Sequence, residues 1–340
     1  MNNGTDNAPA DTSEPSAGSA LDELVRVTAR LRTAVESVVT GRRDAVDVTL
    51  AVLLAGGHLL IEDVPGVGKT TLAKALARAI DGSVGRIQFT PDLLPSDLTG
   101  VSIYRNQTHE FEFRPGPVFS NVVIGDEINR ASPKTQSALL ECMEEGQTTV
   151  DGVTHALPRP FFVVATQNPV EMEGTYPLPE AQRDRFMARL SIGYPEPEAE
   201  LELLDRMETH DPLGEVTPVA DVAVVARLIT TVRGIWASDA VKRYVLDLVS
   251  ATREHPSLRL GASPRTTIQL LRAAKSVAAM DQRDHVLPDD VQRLAVPVLA
   301  HRLITTTEAR LAGQTPADVV TAIVERTAVP ARADRSPSRR

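Results

Sequence analysis

One stretch of the sequence decides the fold: HLLIEDVPGVGKTT, residues 58–71. It opens with an apolar run of strand length, passes through a loop that contains Gly66 and Gly68, and enters a helical pattern at Lys69. This order and the Gly-Lys-Thr ending match the phosphate-binding loop pattern G-x-x-x-x-G-K-[ST], with Asp63 at the first glycine position. Because Asp tolerates left-handed backbone conformations better than most residues, the departure weakens the match only slightly.

The chemistry of phosphate binding explains the residue types in this loop. Its glycines let backbone N–H groups point at phosphate oxygens without side-chain obstruction, and the helix that follows carries partial positive charge at its N-terminus. Lys69 is predicted to reach the β- and γ-phosphates of ATP, and the Thr70 hydroxyl to ligate Mg²⁺. The predicted nucleotide-binding residues of the loop are Pro65, Gly66, Val67, Gly68, Lys69, Thr70 and Thr71.

Two carboxylates, Asp126 and Glu127, end the apolar run NVVIGDE. Ligands of open α/β sheets bind at the carboxyl ends of strands. Asp126 therefore suits the role of holding Mg²⁺, and Glu127 suits polarising the attacking water. The alternative is that strand ends are often acidic because they meet solvent, but the upstream phosphate-binding loop favours a functional pair.

Asn168 follows a second buried run, FFVVAT, and precedes a proline. In a parallel sheet it is expected beside Glu127, where an amide can orient water toward the γ-phosphate. The alternative interpretation is a turn-forming Asn before Pro, which is common.

Strand-like and helical patterns divide the chain into two domains. Five short apolar runs lie among helical patterns: HLLIED, RIQFT, NVVIGDE, FFVVAT and RLSIGY. Continuous apolar runs are typical of parallel strands that are buried on both faces. After residue 197 only helical patterns remain. We therefore predict an α/β core over residues 20–197, a helical domain over 198–328, and disordered tails over 1–19 and 329–340.

The composition of the chain indicates which binding partners and which cellular compartment to expect. The net charge of −9 over 340 residues gives no general attraction to nucleic acid or to anionic membranes, although a local basic patch is compatible with it. Cys142 is the single cysteine, which excludes an intramolecular disulfide and fits a reducing compartment. The first 20 residues lack the features of a signal peptide, and no apolar run reaches the ~18 residues of a membrane helix. We expect a cytoplasmic protein without a membrane segment.

Longer motifs carry a family resemblance. The segments QFTPDLLPSDLTG, GDEINRASPKTQSALLECMEEGQ, ATQNPVEMEGTYPLPEAQRDRF and GASPR closely resemble the MoxR family of AAA+ ATPases. The similarity covers roughly residues 25 to 325. It implies an α/β fold, an AAA+ P-loop NTPase core with a five-stranded parallel sheet, followed by an all-α lid domain. It also implies a homo-oligomeric ring, usually a hexamer, with ATP at the subunit interfaces.

The resemblance implies roles for individual residues as well. Asn168 resembles sensor 1, Arg185 matches the arginine finger and Arg265 matches sensor 2, while Val39 and Gly41 lie where the family contacts adenine.

Two inserted segments also correspond to family features. Residues 98–120 correspond to a helix-2 insert, and residues 146–160 to a pre-sensor-1 hairpin. Within the latter, Asp151-Gly152 is a suitable turn dipeptide.

The residues around Arg265 support its assignment independently. Ser263-Pro264-Arg265 is typical of the N-cap and the first two positions of a helix. A cation in the first turn opposes the helix dipole, and a nearby phosphate anion would reverse that penalty. The alternative is a solvated surface arginine.

The assignment of Arg185 has two competitors. Its side chain is also placed to form an intrachain salt bridge with Asp184 or Glu180. Arg183 is a rival for the role of arginine finger. Residues two apart on a helix face different ways, so Arg183 and Arg185 would point in different directions. The family pattern favours Arg185.

The resemblance leaves several functions open. The first is a chaperone-like remodeller that acts on a protein client, often with a partner bearing a von Willebrand factor A (VWA) domain, in complex assembly, maturation or metal-cofactor insertion. A nucleic-acid motor is the second, although the acidic charge and the lack of a basic, aromatic-rich segment count against it. A chelatase-type motor subunit is the third, and only the long motif match separates it from the MoxR family.

Overall fold

The computed structural model describes residues 17–168, 175–194, 197–198, 200–201 and 211–330. Most of both predicted tails lie outside these residues, as do residues 199 and 202–210 at the start of the predicted helical domain. The first helix already begins at Ala17, within the segment predicted as a tail, so the core starts earlier than expected.

Strands and helices alternate through the first domain. In chain order they are α1 (Ala17–Glu36), α2 (Arg43–Leu54), β1 (Leu59–Glu62), α3 (Lys69–Ala79), β2 (Val84–Gln88), α4 (Pro95–Thr99), β3 (Gly100–Arg105), β4 (Glu110–Pro115), β5 (Val122–Asp126), α5 (Pro133–Glu145), β6 (Gln147–Val150), β7 (Val153–Ala156), β8 (Phe162–Gln167), α6 (Glu180–Arg183) and β9 (Ala188–Leu190).

A five-stranded sheet with the spatial order β2-β5-β8-β1-β9 forms the centre of this domain. Every neighbouring pair in it is parallel, which confirms the predicted sheet. Strands β5 and β8 are buried almost throughout because helices cover both faces of the sheet. All carboxyl ends meet at one edge, and all amino ends at the opposite edge.

The two faces of the sheet belong to separate apolar clusters. Leu59 and Ile61 point into the cluster shared with α1, α2, α3 and the second domain. Leu60, between them, points into the cluster shared with α5. This alternation along one strand is the side-chain geometry of a β-strand, and it fixes which helices flank the sheet.

Two antiparallel hairpins leave the core. Strands β3 and β4 pair within the predicted insert, and β6 and β7 pair within the predicted second hairpin. Asp151 and Gly152 form the turn of the latter with positive φ angles of 51° and 80°. The Phe113 ring of the first hairpin stacks on the His155 ring of the second with centroids 4.0 Å apart, so the hairpins are in contact.

The second domain, the lid, is mainly helical. Its elements are α7 (Pro212–Glu215), α8 (Val222–Gly234), α9 (Asp239–Glu254), β10 (Leu258–Leu260), α10 (Pro264–Met280), α11 (Pro288–Leu299), β11 (Ile304–Thr305), α12 (Thr307–Leu311) and α13 (Pro316–Arg326). As predicted, Ser263 is an N-cap, and its hydroxyl accepts from the Thr266 N–H of α10. The lid also contains a short antiparallel β10–β11 ladder, which its helical patterns do not indicate.

Asp184 joins the lid to the core. Its Oδ1 accepts from Nε of the buried Arg302 at 2.8 Å, and its Oδ2 accepts from the Ser263 hydroxyl at 3.0 Å. The Thr266 hydroxyl donates to Oδ1 at 3.3 Å. Burial lowers the pKa of Arg302 to about 10 against the opposing effect of Asp184, so the guanidinium stays charged at neutral pH. One carboxylate therefore anchors the start of α10 beside the segment that carries Arg185.

Across the described ranges, no helix combines the length and the apolar character that a bilayer crossing requires.

Candidate nucleotide site

The phosphate-binding loop follows β1 at the carboxyl edge of the sheet. Gly66 and Gly68 have φ angles of 87° and 89°, which favour glycine. A Cβ at either position would meet no atom within 4 Å, so the space in front of the loop is open. Gly68 is also the N-cap of α3 and has no side chain to occupy the first N–H groups of that helix. The loop therefore has the shape and polarity of an anion cradle.

The Lys69 side chain contacts the start of this loop. Its ammonium group donates to the carbonyl oxygens of Asp63 and Val64 at 2.6 and 2.7 Å. These contacts hold Nζ beside the backbone that forms the cradle, which is where a phosphate-binding ammonium group is needed.

Asp63 differs from the sequence interpretation. It does not adopt a left-handed conformation, unlike Gly66 and Gly68. Instead its buried carboxylate accepts from the Ser191 hydroxyl at 2.9 Å and from Gly193 N at 2.6 Å. Burial acts to raise the pKa of Asp63, but hydrogen bonds from Gly193, Ser191 and the following backbone outweigh it and hold the pKa below its usual value. Asp63 thus ties the loop to the segment after β9.

Thr70 and Asp126 are close together. The Thr70 hydroxyl donates to Oδ1 of Asp126 at 2.9 Å, and Nε of Arg86 donates to Oδ2 at 2.9 Å. Hydroxyl and carboxylate oxygens are the hard ligands that Mg²⁺ prefers. The donor set present at the loop therefore fits a magnesium–nucleotide complex.

Glu127 follows β5 in a left-handed conformation, with φ 60° and ψ 50°. Its backbone N–H donates to the Thr166 hydroxyl at 3.0 Å, which fixes the turn. Its Oε2 accepts from Nε2 of Gln88 at 2.9 Å and lies 3.1 Å from Nε of Arg130. The carboxylate is therefore oriented at the edge where the phosphate-binding loop lies.

The sequence interpretation did not find Arg86 and Gln88. Both lie on the edge strand β2, where exposed residues alternate with the buried Gly85 and Ile87. Residues two apart on a strand share a face, so these two reach the acidic pair together. The run RIQFT shows this alternation of polar and apolar residues, which could have indicated that Arg86 and Gln88 share a face of the strand.

Three further predicted site residues are Asn168, Val39 and Gly41. Asn168 is buried directly after β8, which is the strand between β5 and β1. Val39 belongs to the core cluster against which Val67 of the loop packs, and Gly41 has a φ angle of 73°. Their proposed contacts with nucleotide stay predictions.

Arg185 and Arg265 lie at the opposite edge. They share a depression with Gly57 and His58, which precede β1, whereas the phosphate-binding loop follows it. Strand β1 alone separates the two edges by about 13 Å at roughly 3.3 Å per residue. Neither guanidinium therefore lies near the loop of its own chain.

Both arginines meet the same carboxylate. Nη2 of Arg185 lies 3.1 Å from Oε2 of Glu144, and Nη2 of Arg265 donates to Oε1. The alternative prediction, a salt bridge from Arg185 to Asp184 or Glu180, is therefore wrong. The partner of Arg185 is Glu144, which α5 brings close to it.

Arg183 does not share these contacts. Its Nε is buried, and among the described residues it has no hydrogen-bond partner.

Comparisons with known proteins agree with this architecture. Residues 58–188 match the family model described as ATPase family associated with various cellular activities (AAA), and residues 250–323 match the AAA lid domain. A crystal structure of a candidate ATPase from Cytophaga hutchinsonii superposes with a TM-score of 0.87 at 39% identity, covering 93% of this chain and 98% of that one. A parallel sheet with a P-loop and this lid defines an AAA+ protein.

Curated relatives narrow the class. The chain is 40% identical over 332 residues to Chaperone MoxR1 of Mycobacterium tuberculosis, covering 95% of this chain and 88% of the relative. It is 52% identical over 296 residues to the uncharacterized protein YeaC of Bacillus subtilis, covering 87% and 92%. The chain belongs to the MoxR family of AAA+ ATPases.

Proposed function

We propose that this chain hydrolyses ATP with Mg²⁺ as a subunit of a homo-oligomeric ring, a hexamer, in the cytoplasm. The ring uses the reaction to remodel, assemble or mature a protein client, with metal-cofactor insertion among its tasks, and it acts together with a VWA-domain protein. The observation that carries this proposal is the separation of the phosphate-binding loop from Arg185 and Arg265 at opposite edges of the sheet.

The chemistry at the loop follows from the residues present. The backbone of Gly66 and Gly68, with Lys69, binds the phosphates, and Thr70 and Asp126 hold the metal ion. Bound there, Mg²⁺ would supply positive charge that offsets the negative charge of the phosphates. Glu127 takes a proton from the attacking water as general base, and Asn168 orients that water.

The arginines require a second copy of the chain. A guanidinium that stabilises the γ-phosphate has to reach it, and Arg185 and Arg265 lie on the far side of their own sheet. A neighbouring subunit therefore supplies them, and ATP is shared across the interface. A ligand that binds the assembled form stabilises the assembly by its binding free energy.

Two observations support a protein client. The tip of the β3–β4 hairpin exposes Phe111 by 73% and Tyr104 by 47%, and aromatic side chains of this kind are enriched in protein interfaces. The named relative from Mycobacterium tuberculosis is a chaperone. The VWA partner rests on the family resemblance, and the net charge of −9 argues against a nucleic-acid motor.

Trapping the ATP-bound ring tests the proposal. The Glu127→Gln protein should assemble with ATP, dissociate without nucleotide, and retain a VWA-domain protein from lysate. Light scattering measures the assembly, and mass spectrometry identifies the retained protein. The Lys69→Ala protein is the matched control, because it cannot load ATP. A monomer under every nucleotide condition would exclude the ring, and a ring that retains only DNA would favour the nucleic-acid motor.

A further inference from the structure

Glu144 in the last turn of α5 has no role in the site described so far. Each of its two carboxylate oxygens contacts a different arginine. Oε2 lies 3.1 Å from Nη2 of Arg185, and Oε1 accepts from Nη2 of Arg265. One arginine belongs to the core and the other to the lid. Nη1 of Arg185 also donates to the Leu140 carbonyl of α5 at 2.5 Å. A single helix end thus holds a pair of cations from two domains.

The shared carboxylate of Glu144 allows the two positively charged arginines to lie close together. Two guanidinium groups at one place repel each other, and an anion between them offsets that repulsion. The side chain of Glu144 is 33% exposed, and those of Arg185 and Arg265 are 30% and 42% exposed. Ion pairs at such exposure add little to folding stability, so their value lies in the geometry that they impose.

The arginines keep donors for another anion. A guanidinium carries five N–H groups in a rigid fork. In the described part of the chain, Arg185 uses only Nη1 and Nη2, and Arg265 uses only Nη2. The Nε–H of each arginine is thus left for a phosphate, which guanidinium groups bind in a directed manner. Glu144 does not have to leave when a phosphate arrives.

The backbone beneath the arginines is held in a similar way. Asp184, next to Arg185, accepts from the hydroxyls of Ser263 and Thr266, which flank Arg265 on α10. This contact fixes the two arginines' backbones relative to each other. Glu144 then fixes their side chains.

We propose that Glu144 is a positioning residue that presents Arg185 and Arg265 as a pair to the γ-phosphate in a neighbouring subunit's site. The inference rests on the proposed function, because it requires ATP to be shared across the ring interface. It assigns Glu144 an effect on the neighbour's hydrolysis and none on nucleotide binding in its own chain.

The first test is Glu144→Gln, which keeps the shape but leaves only one accepting oxygen. We expect kcat to fall about 10-fold or more, since misplaced catalytic groups cost rate steeply, while the KM for ATP stays unchanged. The control is Glu145→Gln, which removes the same charge at the next, exposed position and should behave like wild type. Faster hydrolysis by Glu144→Gln would overturn the inference, because Glu144 would then compete with phosphate for the arginines.

The second test locates the effect in the ring. Lys69→Ala subunits cannot load ATP but donate intact arginines, and Arg185→Ala subunits load ATP but lack a finger. A mixture of the two should regain activity at their shared interfaces. Glu144→Gln added to the Lys69→Ala subunit, which donates the arginines, should abolish this recovery. The same change added to the Arg185→Ala recipient should leave it intact.

The outcomes separate the two proposals. Equal loss from donor and recipient placement would indicate a folding defect, and no loss from the donor placement would leave Glu144 without a role. Either result overturns the inference about Glu144. Absence of recovery in the parental mixture, despite co-assembly, would instead show that the arginines do not act across the interface, and the inference would fall with that proposal.

Discussion

The hydroxyl of Thr70 donates a 2.9 Å hydrogen bond to Oδ1 of Asp126, and this contact joins the phosphate-binding loop to the tip of strand β5. Arg86 holds the other carboxylate oxygen at 2.9 Å. Both predicted magnesium ligands are therefore held at one place by residues from three separate segments. Such preorganisation means that single substitutions at this edge should change specific steps of the ATPase cycle.

Lys69→Ala is expected to abolish ATP binding. The substitution removes a charge-assisted contact with the β- and γ-phosphates while leaving the glycine backbone in place. Isothermal titration calorimetry with ATP and Mg²⁺ measures the affinity. Lys74→Ala, farther along α3, is the control and should bind normally. Near-normal affinity of the Lys69→Ala protein would falsify the assignment of the loop.

Glu127→Gln should bind ATP and hydrolyse it about 100-fold more slowly, the scale of lost general-base catalysis. The amide keeps the size of the side chain but cannot take a proton from water. Steady-state phosphate release gives the rate, and nucleotide titration gives the affinity. If turnover survives, another carboxylate is the base, and Glu171 and Glu173, outside the described residues, become the candidates.

Asp63→Asn is expected to lower the free energy of unfolding by about 1.5–3 kcal/mol, because hydrogen bonds to a charged group are lost at a buried position. The loop should also bind ATP more weakly, since its anchor to Ser191 and Gly193 is damaged. Urea denaturation and nucleotide titration measure the two effects. Asp247→Asn, on an exposed face of α9, is the charge-matched control. Unchanged stability and affinity would show that the anchor is dispensable.

His58 should make stability depend on pH. Its Nδ1 accepts from Val163 N and its Nε2 donates to the Met143 carbonyl, both at 3.1 Å, so the folded state holds the neutral ring. Burial lowers its pKa from 6.5 to about 4. The unfolded chain therefore binds the proton more readily, and this contribution to stability is present above pH 6.5 and is lost as the pH falls toward 4.

The expected loss at His58 between pH 7 and pH 5 is about 2 kcal/mol. Denaturation of the wild type and of His58→Gln at both pH values measures it. The variant should be less stable at pH 7 but should lose less stability on acidification. Buried His301, whose pKa burial also lowers, contributes equally to both proteins. Identical pH dependence in the two proteins would contradict the neutral assignment of His58.

Asp184→Asn should destabilise the protein by about 3–5 kcal/mol, because it leaves the buried Arg302 without its carboxylate. Replacing both partners, Asp184→Asn with Arg302→Met, should cost less than the sum of the single changes. Thermal melting of all four proteins gives this double-mutant cycle. Additive effects would mean that the pair does not act as a unit at the lid–core junction.

The core was predictable because its strands are apolar runs bounded by turn residues. The expected strand at 58–63 is observed over Leu59–Glu62, and that at 161–166 over Phe162–Gln167. The last strand ends earlier than its apolar run, at Leu190, because Ser191 and Gly193 bind Asp63 instead of continuing the ladder. The β10–β11 ladder is too short to leave a periodic signal.

Side-chain partners that are distant in sequence were not predictable. Local patterns suggested Asp184 or Glu180 for Arg185, whereas the partner, Glu144, precedes it by 41 positions. Likewise, Asp63 fits its position through hydrogen bonds across the sheet and not through its own backbone conformation. Pairings of this kind depend on which strand edge a segment reaches, and only the three-dimensional fold determines that.

The placement of Lys69 and Arg185 at opposite edges has a genetic consequence in the proposed ring. Every catalytic interface draws its loop from one polypeptide and its arginines from another. A cell that makes both the wild-type chain and one defective in either edge would assemble mixed rings, so the defect would behave as dominant. Two alleles, one damaged at the loop and the other at the arginines, would instead complement each other within one oligomer. Neither allele alone would give an active ring.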